Sequence, residues 1–211
     1  LLSLLFYMQQ PIMALTLSST LVDLLRAWQE RLQVLAQNGS LTAAAQNALD
    51  LEGEPKALSD LVAAWAVGNF SALPPVVLLT AAEINGAMGA YAISTKSIYL
   101  NADWILSASQ EQVNAVLTEE LGHHLDGLLN AVDTPGDEGE YFYNILTNGI
   151  TEKQTRIVKS EDDRISITAG GRLLNAEASS SPTLDVSDME APSIQRLSLD
   201  ATVLDPSQPG G

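Results

Sequence analysis

"VLTEELGHHLDGLLN", residues 116–130, predicts a long helix with one polar stripe and one apolar side. At about 100° per residue, Glu119 and His123 lie roughly 40° apart around this helix, and Asp126 falls within about 20° of Glu119. The three side chains therefore share one stripe. Gly122 removes a side chain beside that stripe, which would let a neighbouring strand or a ligand come close. The leucines expected to pack in the core on the far side are Leu117, Leu121, Leu125 and Leu128.

The spacing is that of a zinc-protease motif in which glutamate replaces the first histidine. In the H-E-x-x-H arrangement, the side chains at i and i+4 bind Zn²⁺ and the glutamate at i+1 acts as general base. Here Glu119 and His123 stand at the two ligand positions, and Glu120 stands at that of the base. Zinc accepts carboxylate oxygen as well as imidazole nitrogen. The exchange is therefore compatible with binding, although the added negative charge should weaken catalysis more than binding.

Two segments, "EELGHHLD" (119–126) and "GDEGEYFYNIL" (136–146), carry a resemblance to a known family. Together they resemble the active-site helices of the lethal-factor-like gluzincins, a branch of the zinc metallopeptidases. The resemblance implies a zincin-like fold with His123 as the second histidine ligand, Glu120 as general base and Glu140 as the third ligand. It also implies a peptide or protein substrate.

The resemblance covers roughly residues 76–148, and its region before the helix, "GAYAISTKSIYLN", looks like the edge-strand region of that fold. Two features depart from the family pattern. Glu119 replaces the first histidine, and the connection from His123 to Glu140 is shorter than is usual. The same part of the chain also resembles a domain near the start of large exported cyanobacterial proteins that carry calcium-binding or β-sandwich repeats, which implies an extracellular or cell-surface location.

The ligand types bear on which metal would bind. Two carboxylates and one imidazole are harder ligands than two imidazoles and one carboxylate, so Zn²⁺ should lose some preference and Mn²⁺ or Ca²⁺ should be better tolerated. Other roles for the polar residues stay open. His124 could simply pair with Glu120, four residues earlier. Asp133, Asp137 and Glu138 could be helix first-turn acids and nothing more.

The remaining pattern predicts an α+β fold: a small sheet packed on the long helix, a helical N-terminal part and a β-hairpin near the C-terminus. We expect a helical region over residues 1–70, a zincin-like metal-binding domain over 71–177, and over 178–211 a linker and the first strand of a truncated β-rich module, with further domains after 211. Apolar periodicity and turn residues predict the elements. The helices are 18–37, 41–50, 56–67, 109–130 and 137–147; the strands are 76–80, 90–93 and 97–100, with a hairpin over 164–177.

Composition limits the classes of partner. The 211 residues have a formal net charge of −16, which argues against binding nucleic acid, because that binding depends on Lys and Arg. No apolar run is long enough for a membrane span. Between Lys96 and Lys153 there is no Lys or Arg but there are ten carboxylates, which indicates either a solvated acidic surface or a potential that attracts a metal ion or a basic substrate.

These observations favour a metallopeptidase-like domain of an exported multidomain protein, either active or decayed. The alternative is a non-catalytic calcium- or surface-binding module at the head of an adhesin-like protein. A purely structural domain is a third hypothesis. Only two histidines exist and both lie on one helix, so a ferritin-like di-iron site, which needs a Glu-x-x-His motif on two helices, is excluded.

Overall fold

Seven helices and one five-stranded sheet form the described part of the chain, residues 2–147 and 149–179 of a computed structural model, with side chains described from Ser19 onward. The predicted α+β class is confirmed. The helices are α1 (Leu2–Gln37), α2 (Ser40–Ala48), α3 (Lys56–Ala66), α4 (Ala102–Ile105), α5 (Gln110–Leu129), α6 (Glu138–Thr147) and α7 (Glu152–Val158). The strands are β1 (Val76–Leu79), β2 (Gly89–Ala92), β3 (Ser97–Asn101), β4 (Arg164–Ala169) and β5 (Arg172–Glu177).

The N-terminal helices pack on the same core as α5. Trp28 and Leu32 of α1 are buried, as is Trp65 of α3, and all three belong to one apolar cluster with Leu117 and Leu121 of α5. The Trp28 indole nitrogen also donates a hydrogen bond to the Thr118 hydroxyl at 3.1 Å. The helix predicted over 18–37 is longer than expected, since α1 already begins at residue 2. The N-terminal helices therefore support the back of α5.

The sheet has the strand order β1-β3-β2-β5-β4. Strands β1 and β3 are parallel, and the other neighbouring pairs are antiparallel. The predicted hairpin is formed by β4 and β5, which meet at the turn through Gly170 and Gly171. It joins the rest of the sheet through one described pair, Tyr91 with Glu177. This pairing brings the C-terminal end of the hairpin next to β2 and α5.

Alternating residues of the sheet divide between two apolar clusters, as the period of a strand requires. Ile98 and Leu100 of β3 pack in the large cluster against α5. Tyr99 packs on the opposite face, in a smaller cluster with Ile167 of β4 and Ala176 of β5. The sheet thus separates α5 from the second cluster.

Helix α5 begins directly after a serine that caps it. The Ser109 hydroxyl accepts from the Gln112 backbone N–H and the Gln112 side chain accepts from the Ser109 N–H, which is a capping box. The apolar side packs in the core as predicted through Leu117, Leu121 and Leu125. Leu128 was predicted there too, but it is 44% exposed because the helix leaves the core in its last turn.

Helices α5 and α6 cross in close contact at two glycines. A methyl group built on Gly122 would lie 2.7 Å from the Cα of Gly139, and one built on Gly139 would overlap the imidazole of His123 and the carbonyl oxygen of Glu119. The sequence predicted a close approach at Gly122, and the neighbour is a helix rather than a strand or ligand. The Asp137 carboxylate caps α6 by accepting from the Glu140 N–H at 2.6 Å.

Two short helices were not predicted. The Asn101 side chain caps α4, and Thr151 and Gln154 form a capping box at the start of α7. The capping box of α7 could have been predicted from the sequence "TEKQ", residues 151–154, which matches the S/T-x-x-E/Q pattern. No helix among the described residues is long and apolar enough to cross a membrane.

The end of the described chain is more ordered than the predicted linker. All described residues belong to one compact unit. Ala178 and Ser179, which the sequence assigns to the linker, are both buried in it, and the Ala178 N–H donates to the Asp163 carbonyl oxygen at 3.1 Å. The predicted strand of a further module lies in 180–211, outside the described residues.

Candidate metal centre

The imidazole of His123 lies at the centre of the site, on the face of α5 that α6 covers. Its side chain is 0% exposed. Its Nδ1 atom is 2.8 Å from the Glu138 Oε1 atom, a hydrogen-bond distance. Its Nε2 atom is buried and has no hydrogen-bond partner among the described residues. A histidine whose Nδ1–H is held by a carboxylate presents Nε2 for a metal, which is the arrangement typical of metal-binding histidines.

Glu119 and Asp137 complete a group of possible ligands with His123. One ligand atom from each of the three lies within 4.8 Å of the other two, and all three residues are buried. Asp137 Oδ1 is 3.7 Å from His123 Nε2, which is too long for a hydrogen bond. Ligand atoms about 2.1 Å from a tetrahedral Zn²⁺ lie about 3.4 Å apart. The group therefore has the dimensions of a metal site.

The hairpin supplies two more carboxylates. Asp163, just before β4, places Oδ2 3.4 Å from His123 Nε2, and Glu177, the last residue of β5, places Oε2 3.4 Å from Nδ1. Residues 164 and 177 are paired in the β4–β5 register, so the two acids lie at the same end of the hairpin. Four carboxylates thus lie within 3.7 Å of one imidazole.

Glu140, the third ligand that the family resemblance implies, lies in an adjacent group. Its carboxylate lies within 4.8 Å of those of Asp137 and Glu161. Asp137 also belongs to the group with Glu119 and His123, but Glu140 does not. About one helical turn separates Asp137 from Glu140. Because Asp137 precedes the first turn of α6, its side chain points back toward α5, and that of Glu140 accepts a 3.3 Å hydrogen bond from Asn144 farther along the helix.

Glu120, the candidate general base, is fully buried beside the group of possible ligands. Its Oε1 atom accepts hydrogen bonds from the Ser179 hydroxyl at 2.7 Å and from the Ser179 N–H at 3.2 Å. Its Oε2 atom has no hydrogen-bond partner among the described residues. Glu120 belongs to none of the possible ligand groups in the described part of the chain. It therefore lies next to the possible ligands without being one of them.

Two further residues of the motif have structural partners. The Asp126 carboxylate accepts from the Asn130 amide at 2.7 Å and from both the N–H and the hydroxyl of Thr134, which fixes the turn after α5. His124 does not pair with Glu120. Its Nδ1 is 3.1 Å from the Tyr91 hydroxyl, and the two rings meet edge to face. Neither residue lies in the group with Glu119 and His123.

The pKa shifts in the site indicate an excess of buried negative charge. Burial, followed by the charges of Asp137 and Glu120, raises the pKa of Glu119 well above its ordinary value. Burial also raises the pKa of Glu120 to about 7 and that of Glu177 to about 8. Burial alone would lower the pKa of His123, but the hydrogen bond and charge of Glu138, with the charges of Asp137 and Glu120, hold it well above its ordinary value.

Burial also raises the pKa of the neighbouring acids. Burial raises the pKa of Asp137, and it raises that of Asp163 to about 6, with the charge of His123 opposing in both cases. Burial and the charge of Asp137 raise the pKa of Glu140 to about 7. By contrast, burial and the charge of Lys96 lower the pKa of His124 to about 4, so this imidazole is neutral. Among the described residues, His123 is thus the only basic side chain within 4 Å of the four carboxylates named above.

The sequence predicts the α5 part of the candidate site and little of the rest. Asp137 and Glu138 are more than first-turn acids of α6: Glu138 contacts His123, and Asp137 lies in the group of possible ligands with Glu119 and His123. The acidic start of α6 was a usable signal for both. Nothing in the local sequence around Asp163 or Ser179 marked them, because hairpin pairing brings them to the site.

Comparisons of the chain with models of protein families, with curated proteins and with solved structures found no match.

The α5–α6 contact gives a first prediction. Gly139→Ala is expected to lower the free energy of unfolding by about 1–3 kcal/mol, because the new methyl group overlaps the His123 ring and the Glu119 backbone. Urea denaturation measures the change. Gly127→Ala, also on a helix of this crossing pair, is the matched control: its methyl group meets the Cδ1 and Cγ1 atoms of Ile93, whose side chain is exposed and can move, and otherwise only makes an ordinary 4.0 Å contact with the Tyr91 ring. Equal losses in the two variants would contradict the close contact.

Proposed function

We propose that the chain is a metallopeptidase-like domain that binds one divalent cation between α5 and α6, with Glu119, His123 and Asp137 as ligands. The observation that supports this proposal best is the buried, unpartnered Nε2 atom of His123, which points at carboxylates 3.4 and 3.7 Å away. An unpaired buried polar atom destabilises a fold unless something binds it. A divalent cation would satisfy this atom and offset the surplus negative charge together.

The donor set favours a borderline to hard cation. One imidazole suits Zn²⁺, and carboxylates suit Zn²⁺, Mn²⁺ and Ca²⁺. Glu138 holds the Nδ1–H of His123 and so sets the orientation of the ring toward the ion. We propose Zn²⁺ as the preferred ion, with Mn²⁺ and Ca²⁺ as competitors.

The peptidase-like part of the proposal depends on Glu120. When bound, the cation would act as a Lewis acid toward a peptide carbonyl or a water molecule. Glu120 follows the first ligand on α5, and its pKa of about 7 lies in the range in which a carboxylate can accept and return a proton near neutral pH. Ser179 holds one of its oxygens, so substrate access to Glu120 requires the segment after β5 to move away.

A second candidate function is a non-catalytic metal-binding module. The observation that favours it is the complete burial of Glu120, which is 0% exposed and bonded to Ser179. In this case the cation stabilises the domain and no substrate reaches the site. Hydrolysis of casein, or cleavage of the chain itself, distinguishes the two candidates.

The test combines metal content with turnover. Purified protein is expected to bind about one equivalent of Zn²⁺, and its melting temperature should rise with Zn²⁺ relative to EDTA. Glu119→Gln should weaken this binding, whereas Glu120→Gln should keep the metal and remove any casein hydrolysis. Glu111→Gln, an exposed change on the same helix, should alter neither.

Each outcome has a distinct meaning. If no divalent cation binds, the metal-site proposal is wrong. If a cation binds and the wild-type chain hydrolyses neither casein nor itself, the non-catalytic module is the correct function. Loss of the metal in Glu120→Gln would contradict the role of Glu120 beside the ligands.

A further inference from the structure

We infer that Ala178 and Ser179, the two residues after β5, form an autoinhibitory segment that occupies the position at Glu120 into which the main chain of a peptide substrate must bind. This inference rests on the proposed peptidase-like function and adds its regulation. Both residues are buried, and Ser179 is 0% exposed. Ser179 donates two hydrogen bonds to Glu120, one from its hydroxyl at 2.7 Å and one from its N–H at 3.2 Å.

The main chain of this autoinhibitory segment is held on both sides, as that of a bound extended peptide would be. Directly before the segment, β5 pairs antiparallel with β2. The Ala178 N–H donates to the Asp163 carbonyl oxygen at 3.1 Å. The Met88 N–H, just before β2, donates to the Ser179 carbonyl oxygen at 3.3 Å. Main-chain hydrogen bonds of this kind are how extended peptides bind beside a strand, and here the chain makes them with its own residues.

Gly89, the first residue of β2, lets the strand lie directly against Glu120. A methyl group built on Gly89 would lie 2.8 Å from Glu120 Oε1 and would overlap the Val116 side chain. Oε1 is the same oxygen that accepts both hydrogen bonds from Ser179. A peptide that follows the start of β2 therefore reaches this oxygen, at the position that Ser179 occupies.

The contacts that hold the autoinhibitory segment are few and mainly polar. Ala178 and Ser179 have small side chains, so they bury little apolar surface. Ser179 satisfies only one oxygen of Glu120, because Oε2 has no hydrogen-bond partner among the described residues. An unpaired buried carboxylate oxygen favours a form in which water or substrate reaches it. A segment held by a few hydrogen bonds at the end of an element can open locally while the rest of the domain stays folded.

The experiment measures casein hydrolysis by the whole chain loaded with Zn²⁺. Ser179→Ala removes the hydroxyl that binds Glu120 and should raise kcat/KM about tenfold, the effect of losing one hydrogen bond to a charged group. Ser179→Pro also lacks the N–H donor and should raise kcat/KM further. Ser166→Ala, which removes an exposed hydroxyl from β4 of the same hairpin, is the matched control and should stay within about twofold of the wild type.

A synthetic peptide with the sequence of residues 175–179, NAEAS, gives a second readout. Once Ser179→Pro frees the position at Glu120, this peptide should compete with casein, so it should raise KM and leave kcat unchanged. The same peptide with proline in place of its serine lacks both donors and should not compete. A merely structural role of Ser179 would produce no competition.

The outcomes separate this inference from the proposed function. If the wild type hydrolyses casein and neither Ser179 variant is faster, the segment does not inhibit, and the inference is wrong while the proposed function stands. If the chain binds no Zn²⁺, or if it binds Zn²⁺ and neither the wild type nor any variant hydrolyses casein, the peptidase-like function and the inference both fail. A gain in Ser166→Ala equal to that in Ser179→Ala would also overturn the inference.

Discussion

His123→Gln is expected to lower the free energy of unfolding in EDTA at pH 7.5 by about 3–5 kcal/mol, the cost of removing one partner from a buried charge network. In the described part of the chain, His123 is the only basic side chain within 4 Å of Asp137, Glu138, Asp163 and Glu177. Its loss would leave these carboxylates facing one another in a site with little water. The measurement is urea denaturation of the wild type and the variant at matched ionic strength.

The control for this change is the adjacent histidine. His124 is also buried, but it is neutral and contacts only the Tyr91 hydroxyl through a described hydrogen bond. His124→Gln should therefore cost about 1 kcal/mol, the value of an ordinary hydrogen bond. At pH 5 the carboxyls can protonate, so the penalty for His123→Gln should shrink. The penalty for His124→Gln should shrink as well, but for a different reason: at pH 5 the unfolded wild type protonates His124 and the folded state does not. A pH-independent penalty at His123 would mean that packing, and not charge, explains the effect.

The second large expected effect is an unusual pH dependence of stability without metal. The pKa is raised by burial to about 6 for Asp163, about 7 for Glu120 and about 8 for Glu177, from ordinary values of 3.8 or 4.5. Between the ordinary pKa of each group and its raised pKa, the folded state binds more protons than the unfolded state. The free energy of unfolding must therefore fall as pH rises through this range. The raised pKa of His123 acts in the same direction above pH 6.5.

One group opposes this trend. The pKa of His124 is lowered to about 4 from 6.5, so the unfolded state binds the extra proton and stability rises with pH between those values. The net loss of stability should therefore be steepest between pH 6.5 and 8. Melting curves in EDTA across pH 5–8.5 measure it, and Glu177→Gln should flatten the curve where the exposed Glu152→Gln does not.

A bound cation should reverse this behaviour. Ligand carboxylates must be ionised and the imidazole Nε2 must be unprotonated for a metal to bind, so binding releases protons and strengthens as pH rises. With Zn²⁺ present, the melting temperature should rise rather than fall between pH 6 and 8. If curves with and without metal run parallel, the acids near His123 do not bind the ion.

Several features of the fold could be predicted from local sequence. The leucine spacing and the Ser109 capping box define α5, and Gly170-Gly171 defines the hairpin turn. These features depend on residues close together in the chain, where helical and strand periods apply directly. The same local geometry put Glu119 and His123 on one face of α5, and both lie in the ligand group.

The tertiary structure decided the rest of the site. Asp137, and not Glu140, joins Glu119 and His123, because the crossing of α5 and α6 at Gly122 and Gly139 sets which turn of α6 lies against the imidazole. The sequence pattern predicted the helix over 137–147 correctly, but it could not predict which turn of that helix would lie against His123.

Asp163 and Ser179, which flank the β4–β5 hairpin, lie in the part of the site that local sequence could not predict. Asp163 and Ser179 lie 40 and 56 positions after His123, and no spacing rule relates them to α5. They reach His123 and Glu120 because β5 pairs with β2 at Tyr91 and because Ala178 bonds to Asp163. The sequence by itself determined a helix able to present one imidazole and two glutamates on neighbouring faces. Strand pairing and helix crossing, which depend on contacts between distant residues, decided which other carboxylates surround that imidazole.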